Sequence, residues 1–278
     1  MQKQPQNQNR PFIFAGKYDL SYLVFPDSAI DQDVVREGVY SDWTIQLLSQ
    51  FLPENSIILD IGANIGGLAL PLAKMVAPQG VVYAFEPDFQ NVSQLQINKE
   101  LNQLDNVVVL PLVLQDDAQV AMVSLYIRRS TDQEGLVNRG LSTILWMPTD
   151  YVRKERAFSS TIDAQVWEQR ITKVDLIKID VEGAELNVLQ GGHRTIAGHH
   201  PIILYEFSSV IDHMASTNNS AQAYYYLKEM GYRQYEMAKG WLLTEINKLD
   251  RDFPLVNILC FHESNLPESL KTHRLKGG

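Results

Sequence analysis

Two apolar runs that each end in an acid constrain the fold of this chain more than any other feature. Ile57-Ile58-Leu59-Asp60-Ile61 leads into Gly62-Ala63-Asn64-Ile65-Gly66-Gly67, and Val81-Val82-Tyr83-Ala84-Phe85 leads into Glu86-Pro87-Asp88. A short apolar run bounded by turn residues reads as a buried strand, and the apolar stretch between the two has helical length. Strands are expected at 57–61, 81–85, 107–114, 175–179 and 202–207, with helices at 68–76, 91–101 and 184–196 between them. Such alternation predicts an α/β fold: a doubly wound, mostly parallel, seven-stranded sheet with an antiparallel edge strand.

The flanking segments add to this frame. Residues 1–52 read as an N-terminal tail and cap: a polar, Gln-rich start, a short strand pair within 11–29, and one helix over 31–52. Residues 53–265 form the main domain and 266–278 a C-terminal tail. An extra strand is expected at 120–128, and the polar, glycine-bearing 130–148 reads as an insertion or lid after the third strand. Further expectations are a short helix over 161–170, a helix over 221–230, a hairpin of 233–237 and 241–244 around Lys239-Gly240, and a last strand at 256–261.

Ligands of open α/β sheets bind at the carboxyl ends of the strands, so Asp60 and Glu86 share one crevice. Gly62 and Gly66 permit a sharp turn and close approach of a ligand to the backbone. A carboxylate fixed at a strand end, as Glu86 is, accepts two hydrogen bonds from a ribose diol. Asp60 suits an ammonium group, directly or through water. A ligand with a ribose at one end and an amino acid at the other is S-adenosylmethionine. The rival is NAD, whose fingerprint requires G-x-G-x-x-G at this turn, whereas position 64 is Asn. A ligand-free strand–turn–helix is disfavoured because two acids at successive strand ends are costly without a use.

Charge and composition narrow the partners. A net charge of −9 and a pI near 5.2, with no dense basic patch, argue against nucleic acid or an anionic membrane surface. Cys260 is the lone cysteine, which excludes multi-cysteine zinc and iron–sulfur sites. No leader pattern opens the chain, and no apolar stretch reaches the roughly 20 residues of a membrane span. The expected setting is the cytoplasm, without a membrane partner.

A second acidic constellation follows the fourth strand. Asp175-Leu176-Ile177-Lys178-Ile179-Asp180-Val181-Glu182-Gly183-Ala184-Glu185 puts Asp180 and Glu182 on the crevice rim, and the fifth strand brings Glu206 to the same rim. Glu185 falls in the first turn of a helix, where an acid suits the dipole. Lys178 either neutralises Asp175 or Asp180 or orients an acceptor. Clustered carboxylates also admit Mg²⁺, though a metal is not favoured. The histidines offer no metal spacing: His199 and His200 are adjacent and His193 sits on a helix.

Leu59-Asp60-Ile61-Gly62-Ala63-Asn64-Ile65-Gly66, Ala84-Phe85-Glu86-Pro87, Thr161-Ile162-Asp163, the Ile177–Glu185 stretch, Pro201 and Leu204-Tyr205-Glu206 together resemble the FkbM-type methyltransferases. The likeness runs from about Glu37 to about Phe207. It implies a class I, Rossmann-like methyltransferase fold using S-adenosylmethionine. It also implies O-methylation of a hydroxylated small-molecule acceptor: a sugar, a polyketide or another natural product. Asp60, Gly62, Asn64 and Gly66, with Ala63 among them, would bind the methionine end. Glu86, followed by Pro87, would hold the ribose, and Asp116 would lie near the adenine. Glu37, with Tyr40, would close over the cofactor. Asp180 and Glu182 would face the methyl group, and Asp180 is the first candidate for a base, ahead of Glu182, Glu206 and His213. The rival from another class is a non-catalytic module of the same fold that recruits a protein partner. The sequence leaves the oligomeric state open.

Overall fold

The computed structural model describes residues 10–119, 121–131, 135–146, 151–238, 242–249 and 255–271. The chain opens with the hairpin β1 (Phe12–Ala15) and β2 (Ser21–Val24), then α1 (Ala29–Glu37) and α2 (Asp42–Leu48). Alternation follows: β3 (Ile57–Ile61), α3 (Ala69–Val76), β4 (Val81–Phe85), α4 (Phe89–Leu101), β5 (Val107–Leu110). The insertion holds β6 (Val113–Leu114), β7 (Met122–Arg128), β8 (Ser130–Thr131), β9 (Val137–Asn138) and β10 (Tyr151–Ser160). Next come α5 (Ile162–Glu168), β11 (Leu176–Ile179), α6 (Glu185–Gln190), α7 (His193–His199), β12 (Ile202–Phe207), α8 (Ser209–Ala215) and α9 (Asn219–Glu229). The chain continues through β13 (Tyr232–Ala238), β14 (Leu242–Glu245), β15 (Val256–His262) and α10 (Glu268–Lys271).

The main sheet runs β14-β13-β15-β12-β11-β3-β4-β5. The five strands from β12 to β5 are parallel, as the alternation predicts. The sheet has eight strands rather than seven, because both arms of the terminal hairpin join it. β14 is the antiparallel edge strand, while β15 lies antiparallel between β12 and β13. Successive side chains of β3 feed opposite layers: Ile58 packs with α1–α3 residues such as Val34, Ile45 and Leu72, whereas Leu59 and Ile61 pack with Leu189, Tyr205 and Leu227. Asn98 of α4 and Asn102 at its C-cap accept the Leu23 and Ser21 N–H groups at 2.7 Å, which ties β2 to the helix.

Three expected elements divide, each at a residue that cannot continue it. The helix over 31–52 becomes α1 and α2, because Gly38 turns left-handed (φ 84°) and closes α1 through its N–H to Val34 O at 2.8 Å. The strand over 107–114 becomes β5 and β6, because Pro111 has no N–H for a ladder. The helix over 184–196 becomes α6 and α7 at Gly191-Gly192, where a Cβ on Gly191 would lie 1.9 Å from Gln115 O. β10 was not foreseen, since its charges hide the alternation; it pairs with β7 and β6 in a separate three-stranded sheet. Nor was α8, which Ser208 caps. The Gln-rich start, Val120, Lys239-Gly240-Trp241, parts of 130–148 and the end of the C-terminal tail lie outside the described residues. Among the described residues no helix is long and apolar enough to cross a membrane.

Candidate active site

β3 delivers its turn in an unusual backbone form: Gly62 (φ 80°), Asn64 (φ 52°) and Gly66 (φ 89°) are all left-handed within five residues. The N–H groups of Gly62 and Ala63 both donate to Phe85 O, at 2.9 and 3.0 Å, so the turn is pinned to the end of β4. A Cβ on Gly62 would lie 1.8 Å from Asp180 O. Gly62→Ala therefore combines an overpacked contact with a strained φ, and about 2–5 kcal/mol of stability should be lost. Urea unfolding tests this, and a wild-type midpoint would refute it.

Glu86, at the end of β4, is 5% exposed. Its Oε2 accepts the Asn64 N–H and its Oε1 the Asp88 N–H, both at 2.9 Å. Burial raises its pKa to about 7 in spite of those donors. Asp60 is 1% exposed, and burial pushes its carboxyl up as well. Lys178 Nζ pairs with Asp60 Oδ1 at 3.2 Å, and Asp60 Oδ2 has no hydrogen-bond partner. Asn64 Oδ1 is likewise buried without one. Unpaired buried acceptors are rare in folded proteins, and both residues line the same cavity.

Lys178 Nζ donates to Gly62 O at 2.7 Å and lies 3.6 Å from Asp180 Oδ2. It thus stitches the glycine turn to both acids, and the charges of Asp60 and Asp180 hold its pKa up against burial. Asp175 pairs instead with Lys173 and accepts the Ile57 N–H. Carboxylate oxygens of Asp180, Glu182 and Glu206 all lie within 4.8 Å of one another. Glu182 is left-handed (φ 57°). Glu185 caps this turn, its Oε1 accepting the Val181 and Gly183 N–H groups at 3.1 and 3.2 Å.

Burial, then the charges of Asp180 and Glu185, push Glu182 up to about 8; burial and its acidic neighbours push Glu206 well above the carboxylate range. Unfolded, Glu182 ionises near 4.5, so its contribution to stability is complete below that pH and is lost as pH rises through 8. The ligand-free protein should melt at a lower temperature at pH 8.5 than at pH 6, and Glu182→Gln should flatten the slope. A pH-independent melting temperature over this range would show that the cluster is not built this way.

The acids and the glycine turn open on one cavity of about 550 Å³. Asp60, Asn64, Glu86, Asp180, Glu182 and Glu206 line it, as do Gly62, Ala63 and Pro87. Leu112, Leu114 and Leu125, brought by the insertion, give it an apolar wall. Four sequence candidates, Glu37, Asp116, Gly66 and His213, do not line it. Glu37 is exposed beside Lys17, Asp42 and Trp43, because α1 ends at Gly38 before the chain turns inward. Tyr40 lines the cavity instead, its ring against Gly67. Asp116 is exposed just past the end of β6, where the chain leaves the cavity wall after Leu114. Gly66 packs on Leu95 and Leu70 rather than facing the cavity, and His213 is not among the lining residues. The sequence reading missed Arg128, a buried cation at the end of β7. A charge closing an apolar strand is the signal that found Asp60 and Glu86, and it was present here too.

A parallel sheet with this strand order, a glycine turn after its first strand and an acid fixed at the end of the next define a class I methyltransferase. Comparison with known proteins narrows the class. The Methyltransferase FkbM domain model matches residues 60–234, more than half of the chain. The chain belongs to this family of S-adenosylmethionine-dependent methyltransferases. It is 28% identical over 184 residues to Methyltransferase 1 of Beauveria bassiana, covering 62% of this chain and 72% of that one. It is 27% identical over 192 residues to methyltransferase sdnD of Sordaria araneosa, with the same coverage of 62% and 72%. Among solved structures it is similar to a methyltransferase FkbM from Methylobacillus flagellatus, with 18% identity and a TM-score of 0.44 over 77% of this chain and 46% of that one.

Proposed function

We propose that this enzyme methylates a hydroxyl group of a small acceptor, a sugar or another polyhydroxylated natural product. The observation that carries the reading is one cavity lined by two sets of groups, Asp60, Asn64 and Glu86 on the one hand and the Asp180–Glu182–Glu206 cluster on the other. When bound, S-adenosylmethionine supplies an electrophilic methyl group on sulfur. Asp60 Oδ2 and Asn64 Oδ1, buried acceptors without partners, suit its ammonium and N–H donors. Glu86 keeps lone pairs for the ribose hydroxyls, and the leucine wall suits an adenine ring. Alignment of the acceptor with the methyl group supplies much of the rate, on the order of 7–11 kcal/mol for well-placed reactants.

Asp180 takes the acceptor's proton. Glu182 and Glu206 hold their own protons at neutral pH, so they donate hydrogen bonds rather than accept a proton. Asp180 is 36% exposed on its side chain and reachable from the cavity. The charge of −9 fits an uncharged or cationic small molecule better than nucleic acid. Labelled donor incubated with panels of hydroxylated compounds, amines and RNA tests this. Label in an O-methyl product supports the reading; label confined to RNA or amines refutes it. Three carboxylates within 4.8 Å also favour a second reading, in which a divalent cation holds the acceptor. Undiminished transfer in excess EDTA removes it.

A further inference from the structure

Residues 137–145 run along the cavity from the start of α1 to the Glu182 turn, and they are fastened at both ends. At the first, Val137 N–H donates to Asp27 O at 2.7 Å and Arg139 Nη2 to Asp27 Oδ1 at 2.9 Å. At the second, Thr143 Oγ1 donates to Glu182 O at 2.9 Å. Between them Gly140 lies so close to Asn64 that a Cβ would come within 3.0 Å of its Nδ2.

The fastening in the middle is a buried ion pair. Asp88 is 0% exposed. Its Oδ1 caps α4 through the Gln90 N–H and lies 3.7 Å from Arg153 Nη2, and its Oδ2 takes the closer cation, Arg129 Nη2 at 2.7 Å, and Ser142 Oγ at 3.3 Å. Arg129 Nη1 reaches Arg139 O at 3.3 Å, so one guanidinium holds both the segment and its anchor. The Asp88 N–H in turn fixes Glu86. The wall over the cavity and the acid at its floor thus share a single residue. Arg129 itself does not line the cavity.

We propose that residues 137–145 are a strap that retains the donor molecule, and that Arg129 is the positioning residue that locks it onto Asp88. The inference rests on the donor reading under "Proposed function". A purely architectural Arg129 would change stability and leave ligand residence unaltered. A locking Arg129 controls departure, because the strap must open before the ligand can leave.

The test is stopped-flow kinetics of S-adenosylhomocysteine with the full chain. Arg129→Ala should release the ligand roughly tenfold faster, the size expected of a coupling residue that does not touch it. Arg129→Lys, a point charge without the fork, should recover part of the residence time. Asp88→Asn keeps a capping oxygen, and combined with Arg129→Ala it should add little to the single change. Wild-type off-rates in folded Arg129→Ala and Asp88→Asn proteins, or additive effects in the double variant, would overturn the strap alone. Failure of the wild-type protein to bind S-adenosylhomocysteine would remove the donor reading and the strap with it.

Discussion

Glu86→Ala is expected to weaken S-adenosylmethionine binding by a hundredfold or more. Hydrogen bonds to a charged group contribute about 1.5–3 kcal/mol each, so losing two to a ribose diol costs about 3–6 kcal/mol. The position is preset in the structure: backbone donors from Asn64 and Asp88 hold one lone pair of each Glu86 oxygen, Oε2 keeps its other for a ligand, and at Oε1 a ligand hydroxyl competes with the long 3.5 Å contact from Asn91 Nδ2. Glu86→Gln should be intermediate, because its amide nitrogen cannot accept from one of those N–H groups. Calorimetry with circular dichroism as a fold control decides the matter. Wild-type affinity in a folded Glu86→Ala protein would take the ribose role away from this residue.

Asp180→Ala carries the second large effect, on turnover rather than on affinity. A positioned base contributes about 10²–10⁴-fold in rate, so methyl transfer should fall by that factor while donor affinity stays within a few-fold. Its neighbours sharpen the expectation. Glu182 and Glu206 retain protons at neutral pH and cannot replace it. Lys178 keeps Asp60 and the Gly62 carbonyl as partners after the substitution, so the glycine turn should survive. Equal loss of rate and affinity would recast Asp180 as a donor ligand, and unchanged turnover would remove it from the chemistry.

How much of this was legible in the sequence depended on the range of the signal. Strands buried on both faces, such as 57–61 and 81–85, stand out as unbroken apolar runs, and they were read with their ends correct. Acids closing those runs, Asp60, Glu86, Asp180 and Glu206, were found for the same reason, and they converge on one cavity. Two glycine-bearing helices were read as continuous because apolar spacing carries across Gly38 and Gly191, while the left-handed turn and the close approach that break them depend on distant backbone. The strand Tyr151–Ser160 escaped because four successive charged residues, 153–156, mask a period of two.

Glu37 lies next to the break at Gly38, which ends α1 before the chain turns inward to Tyr40, whereas Asp116 follows β6 where the chain leaves the cavity wall after Leu114. Conversely, Ser142 and Thr143 stand in a polar stretch with no periodicity. Their place on the cavity wall follows from contacts with Asp88 and Glu182, 54 and 39 residues away in the chain.

The central claim is that the crevice beyond β3 and β4 holds S-adenosylmethionine. Calorimetric titration of the wild-type protein with S-adenosylmethionine, S-adenosylhomocysteine and NAD tests it most directly. Micromolar binding of both adenosyl ligands with no heat from NAD is the expected result. Binding of NAD instead, or of none of the three, would contradict it.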